Sequence, residues 1–352
     1  MSLPSGLPRP HRAARLEDAI SAALTRTLRR RGWLPRLIPY PGYGTDGWVR
    51  VLARVLMAPP GTRRRDIEQA RGWRRFLSAE AEGVPVVIEV GDQRYEVTTT
   101  RGGYVDEVVA ADLEPGWAHA KLTPEGGPAS EAPLRVVGPD ARLGVVSDVD
   151  DTVIVTALPR PLVAFWNSFV RTEASRHPVP GMDELYRELL AENPDAFVVY
   201  LSTGAWNVAP ALRHFLERHS FPPGPTLMTD WGPTPQGWFR SGREHKRTQL
   251  TRLLGEFPQL RWVLVGDDGQ HDPELYEETA AAAPEKVLAI AIRQLTATEQ
   301  VLTHGTPQPP SEMPWAPERP HLRVPEVRAP DGTGLLAALR SRDLIRLSAD
   351  GG

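Results

Sequence analysis

The chain has 352 residues, 41% hydrophobic and 24% charged, with a formal net charge of −3. That size and composition suit a globular protein with room for two domains, and the balanced charge gives no global electrostatic case for nucleic acid. The lack of cysteine excludes disulfides, thiol catalysis and cysteine–zinc sites. No apolar run of about 18 residues is present to span a membrane, and residues 1–16 lack the apolar stretch of a secretory signal, so a cytoplasmic protein is the expectation.

Residues 1–32 open with a Pro-rich segment and continue into a basic amphipathic helix over 11–31. Leu16, Ile20, Ala23, Leu24 and Leu28 share one face, and Arg12, Arg15, Arg26, Arg29 and Arg30 surround it. Such a helix either lies on an anionic membrane or docks on its own protein with the arginines solvated.

Residues 33–138 predict a β-rich accessory domain, a small sandwich or barrel. Strands are expected at 48–57 (WVRVLARVLM), 84–90, 94–98, 104–110, 117–122 and 134–137. Gly91-Asp92 marks a hairpin turn. Tyr40-Pro41-Gly42-Tyr43-Gly44 lacks the strand–loop–helix setting of a phosphate loop and reads as a structural turn. Residues 63–76 read as an insertion, and 123–133 (TPEGGPASEAP) as a loop or interdomain linker.

From residue 143 the texture changes to alternating strands and helices. Strands are expected at 197–201, 262–265 and 287–291, with helices at 208–219, 243–255 and 272–282. The alternation predicts a doubly wound parallel α/β sheet over 142–300. Residues 301–352 read as a Pro-rich surface segment, poor in pattern over 305–332, followed by a helix at 335–347.

The most informative stretch is 143–156, LGVVSDVDDTVIVT. An uncharged apolar run suits a buried parallel strand. It ends in Asp148, Asp150 and Asp151, three carboxylates in four positions. Mutual repulsion and desolvation make that arrangement costly without a cation. The carboxyl ends of such strands are where α/β sheets bind ligands. A Mg²⁺-dependent phosphoryl-transfer site is the reading. Three further elements follow in order: Ser202-Thr203-Gly204 after a strand, Lys246 near a helix start, and Gly266-Asp267-Asp268 through Asp272 after another strand. Alone, each has a plainer reading: a solvated turn, a helix cap, a surface lysine.

Together the four elements resemble the haloacid dehalogenase superfamily of phosphohydrolases. The phrases SDVDDT, YLSTG and VGDDGQHDPE are similar to the catalytic domain of the actin-patch-type phosphatidate phosphatases. The resemblance implies a Rossmann-like sheet and an aspartyl-phosphate mechanism. It makes Asp148 the nucleophile and Asp150 the general acid and base. Ser202 would hold a phosphoryl oxygen and Lys246 would offset the charge. Asp148, the Asp150 carbonyl and Asp267 would hold Mg²⁺. Thr152 would fix the loop, and Asp272 would orient Lys246 or a metal-bound water. Asp268 departs from the pattern, which favours a small residue there.

Substrate choice rests on other residues. Phe165, Trp166 and Phe169 lie near Arg171, Arg176 and His177, and Trp206, Trp231 and Trp238 follow motif strands or loops. These aromatics either meet lipid or belong to a core or pocket wall. The expected partner is a phosphomonoester, with membrane phosphatidate first and peripheral membrane contact implied. Soluble phosphomonoesters or phosphoproteins are the alternative within enzymes, and a non-catalytic lipid- or anion-binding module the alternative outside them.

Overall fold

Alternation of side chains along β2 (Trp48–Ala58) explains the architecture. This strand is buried along almost its whole length. Val49, Val51, Ala53, Val55 and Met57 enter one hydrophobic cluster, made only of residues before 138. Leu52 and Leu56 enter a second, which also contains Val145, Phe197 and Trp262. A strand with a core on each face reads as continuous apolar sequence rather than strict alternation. Arg50 and Arg54 share the second face and are buried as well.

The computed structural model describes residues 25, 27–62, 79–156, 176–229, 241–269, 271–296, 299–300 and 323–345. Among the described residues eight strands precede residue 138: β1 (Leu34–Gly44), β2, β3 (Ala79–Glu80), β4 (Pro85–Val90), β5 (Gln93–Thr98), β6 (Tyr104–Ala110), β7 (Gly116–Pro124) and β8 (Ser130–Val136). They form one sheet in the order β3-β2-β1-β8-β7-β4-β5, with β6 also on β2. All pairs are antiparallel except β1 with β8.

Two expectations are corrected here. Residues 40–44 are the end of β1, not a free turn. The register slips between Tyr40 and Tyr43, so Tyr40 opposes Leu52 and Tyr43 opposes Arg50. This bulge puts both tyrosines into the second cluster. Gly42 permits it, because a Cβ there would lie 2.2 Å from the Arg50 carbonyl oxygen. Residues 130–133 are strand rather than linker, because β7 supplies antiparallel partners from Lys121 and Leu122 back to His119.

The second part alternates strands with helices: β9 (Leu143–Asp148), α1 (Met182–Glu192), β10 (Phe197–Ala205), α2 (Ala209–Arg218), β11 (Thr226–Thr229), α3 (Ser241–Glu256), β12 (Arg261–Asp267), α4 (Asp272–Ala282), β13 (Val287–Arg293), β14 (Glu326–Ala329) and α5 (Gly332–Ser341). The six strands are all parallel, in the order β11-β10-β9-β12-β13-β14. Winding reverses direction beside β9. Register does the rest: Leu201 pairs with Asp148, Val265 with Ser147, and Asp267 with Arg293. The motif residues therefore reach one edge of the sheet.

The segment 305–332 is not all patternless surface, since β14 extends the sheet at Glu326–Ala329. The last helix starts earlier than expected because Asp331 caps it, accepting from the Gly334 backbone N–H at 2.9 Å. Expectations for residues 1–24, 63–76, 161–175 (with Phe165, Trp166, Phe169 and Arg171), Trp231 and Trp238, and 301–322 lie outside the described residues. Among the described residues no helix is long and apolar enough to cross a membrane.

Candidate active site

Asp148 ends β9 and is 1% exposed. Beyond it the chain turns sharply. Asp151 adopts φ of 57°, its N–H donates to the Ile154 carbonyl at 2.9 Å, and its Oδ1 accepts from the Thr156 N–H at 2.9 Å. This third carboxylate thus holds the loop. The Thr152 hydroxyl, given that task on the sequence, is buried with no hydrogen-bond partner among the described residues. Asp150 is buried in the same turn, and its backbone bridges to Ile154.

Lys246 comes from α3. It shares the helix's buried face with Leu250 and Leu253, at the spacing of successive turns. Its Nζ lies 2.6 Å from Asp148 Oδ1 and 2.6 Å from Asp272 Oδ1. Asp272 stands in the first turn of α4, where acidic residues complement the helix dipole. Burial alone would lower the Lys246 pKa, but Asp148 and Asp272 raise it above its ordinary value, so the ammonium stays charged. Burial raises the Asp148 pKa well above the carboxylate range. Lys246 opposes that shift, while Asp272 and Asp150 add to it.

Asp267 ends β12, fully buried. Its Oδ1 accepts from the Gly269 N–H at 2.7 Å. Burial, then Asp272 and Asp148, raise its pKa. Gly266 makes room for the neighbouring helix, since a Cβ there would lie 2.8 Å from Asp272 Oδ2. Asp268 is engaged elsewhere: its Oδ1 accepts from the Leu295 N–H at 2.8 Å, and its own N–H donates to the Arg293 carbonyl. Asp268 therefore ties the loop after β12 to the exit of β13.

Ser202 is buried at the end of the neighbouring strand, and its Oγ accepts from the Gly204 N–H at 3.0 Å. An accepting hydroxyl still carries a proton to donate. Trp206, four residues on, is half-buried against Tyr40 and Tyr104 of the β-rich sheet.

The donor set fits a divalent cation. Asp148, Asp267 and Asp272 each offer an oxygen within 4.8 Å of the others. Asp148 Oδ2, Asp267 Oδ2 and Asp272 Oδ2 are buried and accept no hydrogen bond among the described residues. Three carboxylates face one ammonium, and hard oxygen ligands suit Mg²⁺. Asp272, expected to orient Lys246 or a metal-bound water, accepts from Lys246 Nζ at 2.6 Å and also stands within this oxygen cluster. A cavity of about 580 Å³ lined by Arg36, Thr62, His119, Ser130 and Glu131 shares no residue with the site.

Sequence reasoning missed Arg293 and Tyr186. Arg293 ends β13 and is 3% exposed, and its Nη1 donates to the Asp151 carbonyl at 2.7 Å. Its position just after an apolar strand was the available signal, since a buried arginine needs partners. The Tyr186 hydroxyl lies 2.5 Å from Ser147 Oγ, beneath Asp148. Nothing in the spacing of α1 pointed to it.

Residues 143–294 match the family model of the phosphatidate phosphatase APP1 catalytic domain. Phosphatidate phosphatase APP1 of Saccharomyces cerevisiae is 27% identical over 233 residues, covering 62% of this chain and 39% of that protein. Uncharacterized protein C29B5.04c of Schizosaccharomyces pombe is 25% identical over 154 residues, 44% of this chain and 25% of that protein. The chain thus spans less than half the length of these curated relatives. Among solved structures, the HAD domain of the effector Lem4 from Legionella pneumophila aligns with a TM-score of 0.30 and 13% identity, covering 44% of this chain and 88% of that one. The chain resembles, over residues 143–294, the catalytic domain of the actin-patch-type phosphatidate phosphatases of the haloacid dehalogenase superfamily.

Proposed function

We propose that the protein is a Mg²⁺-dependent phosphomonoesterase working through an aspartyl-phosphate on Asp148. The observation that carries this reading is the placement of Lys246 between Asp148 and Asp272, each at 2.6 Å, beside Asp267 at the carboxyl edge of a parallel sheet. In this reading the sheet is the doubly wound haloacid dehalogenase type over 142–300, the β-rich part at 33–138 is an accessory domain, and 1–32 and 301–352 flank them.

Asp148, Asp267 and the Asp150 carbonyl would hold Mg²⁺, with Asp272 nearby, and the ion would supply the positive charge that lets an anion approach an anion. An Asp148 carboxylate oxygen attacks phosphorus in line, and the P–O ester bond breaks. Asp150 gives its proton to the departing alcohol, then takes one from the water that hydrolyses the acyl phosphate. Ser202 donates to a phosphoryl oxygen. Lys246 aims Asp148 and favours its ionised form, opposing the desolvation that favours the neutral one.

Phosphatidate or a related phosphomonoester lipid is the favoured substrate, supported by the match to the APP1 catalytic domain. The protein then acts from the cytoplasm with peripheral membrane contact. A soluble phosphomonoester is the second reading, favoured by Trp206, whose ring packs on Tyr40 rather than standing as a lipid contact. The deciding experiment is a Mg²⁺ phosphatase screen across phosphatidate in mixed micelles and soluble phosphomonoesters, with Asp148→Asn alongside. Activity in wild type alone supports the enzyme reading, and preference between the two panels assigns the substrate class. Equal activity in Asp148→Asn contradicts the mechanism.

A further inference from the structure

We infer that Arg293 is a positioning residue that sets the proton-transfer geometry of the Asp150 turn; the inference rests on the phosphomonoesterase reading. Arg293 is paired with Asp267 in the β12–β13 ladder, so it stands at the same sheet edge as the acidic residues. Its side chain runs across that edge to the loop after β9. Nη1 donates to the Asp151 carbonyl at 2.7 Å, Nε donates to the Pro330 carbonyl at 3.2 Å, and Nη2 donates to Glu299 Oε1 at 2.6 Å. Glu299 is itself held, accepting from the Thr296 N–H and hydroxyl at 2.8 and 2.9 Å.

One planar guanidinium therefore ties three segments together, a task for which its rigid fork is suited and a lysine is not. One of those segments is the turn that carries Asp150, held at the carbonyl of the next residue, Asp151. Asp151 sits there in the left-handed region, uncommon for a non-glycine residue and dependent on its surroundings. The turn that aims Asp150 is thus held from outside by Arg293 and from inside by the Asp151 bond to the Thr156 N–H. The Arg293 backbone adds a second tie, since its carbonyl accepts from the Asp268 N–H at 3.0 Å. Among the described residues Arg293 bonds neither Lys246 nor the Asp148 side chain; its reach to the chemistry runs through Asp150.

That placement gives a distinctive readout. A mispositioned general acid harms substrates with poor leaving groups far more than those whose phenolate departs unaided. The value of kcat/KM is the right quantity, because it stops at the first irreversible step and ignores later hydrolysis of the phosphoenzyme. The experiment compares wild type, Arg293→Met and Arg293→Lys on aryl phosphates from p-nitrophenyl to p-methoxyphenyl with Mg²⁺. Folding of each variant is checked by near-UV circular dichroism, and Asp148→Asn serves as the control for the reading itself. Arg293→Met is expected to lose at least about tenfold more on p-methoxyphenyl than on p-nitrophenyl phosphate, with Arg293→Lys intermediate. If Arg293→Met does not fold, the lysine variant carries the comparison. Equal losses across the series in a folded variant, with Asp148→Asn inactive, overturn the positioning role and leave the phosphatase reading standing. Loss of fold in both variants assigns Arg293 to stability alone and equally overturns it. Activity in Asp148→Asn defeats the underlying reading instead.

Discussion

The Tyr40 and Trp206 rings lie 4.6 Å apart, centroid to centroid, and the Tyr40 hydroxyl donates to the Trp206 carbonyl at 3.3 Å. The pair joins the β-rich sheet to the turn that follows Ser202. Tyr104 flanks Trp206 at 6.4 Å and carries the Arg54 guanidinium over its own ring at 4.6 Å. Lower on the same face, the Tyr43 hydroxyl donates to Glu256 and accepts from Arg50, which also makes two 2.6 Å bonds to Asp106. Tyr40, Tyr43, Leu52 and Leu56 of the β-rich region therefore belong to the same hydrophobic cluster as the sheet that bears the site.

Trp206→Ala is expected to cost roughly 2 kcal/mol of stability, from lost packing at a half-buried aromatic. Because Trp206 supports the turn rather than a lipid, hydrolysis of phosphatidate in micelles and of a soluble aryl phosphate should fall alike. A loss confined to the lipid substrate contradicts this and restores Trp206 as a lipid contact.

Lys246→Met leaves Asp148 and Asp272 buried without their shared cation. Breaking a buried pair from one side costs about 3–5 kcal/mol. Urea unfolding should show a loss of that order together with loss of turnover. Added Mg²⁺ should recover part of the stability, since it supplies the missing positive charge. A variant as stable as wild type in chelator contradicts the buried ion-pair assignment.

Metal dependence is tested at Asp267. Chelation should abolish turnover and Mg²⁺ restore it, with Ca²⁺ a poor substitute because of its larger, looser coordination. Asp267→Ala removes one of three convergent carboxylates, so it should raise the Mg²⁺ requirement or abolish activity at any concentration. Unchanged Mg²⁺ dependence in a folded Asp267→Ala protein excludes Asp267 as a ligand.

His245 supplies a pH prediction. Burial holds its pKa down at about 4, against an ordinary 6.5, even though a bond to the Leu227 backbone favours the protonated ring. Between those values the unfolded chain binds a proton that the folded chain refuses. Its contribution to stability is therefore full above about 6.5, falls as pH drops toward about 4, and changes no further below that. His245→Gln should flatten the stability profile in that window, as measured by urea unfolding at several pH values. An unchanged slope means that other groups set it.

The site was legible where chemistry and strand ends coincide. Asp148, Ser202 and Asp267 each end or follow an apolar run, and parallel register alone brings such residues together. Lys246 and Asp272 were legible from their order along the chain, though not the bonds that join them. What stayed hidden depends on non-local partners. Asp151 reads as one more carboxylate until its bond to the Thr156 N–H is seen. Arg293 reads as a charged strand end until the loop after β9 folds over it. The bulge in β1 exists because β2 and the second core are both present. β14 hid in a Pro-rich segment because four residues are too few to show a period, and its pairing with β13 decides it.

Phosphate is expected to pass through Asp148. The most direct measurement is to quench the turning-over enzyme in acid, reduce with borohydride and sequence the peptide around residue 148 by mass spectrometry. An acyl phosphate at Asp148 is reduced to homoserine there, and Asp148→Asn should show no such product and lose on the order of 10³-fold or more in turnover. Sustained Mg²⁺-dependent turnover with residue 148 unmodified, or wild-type activity in Asp148→Asn, contradicts the account.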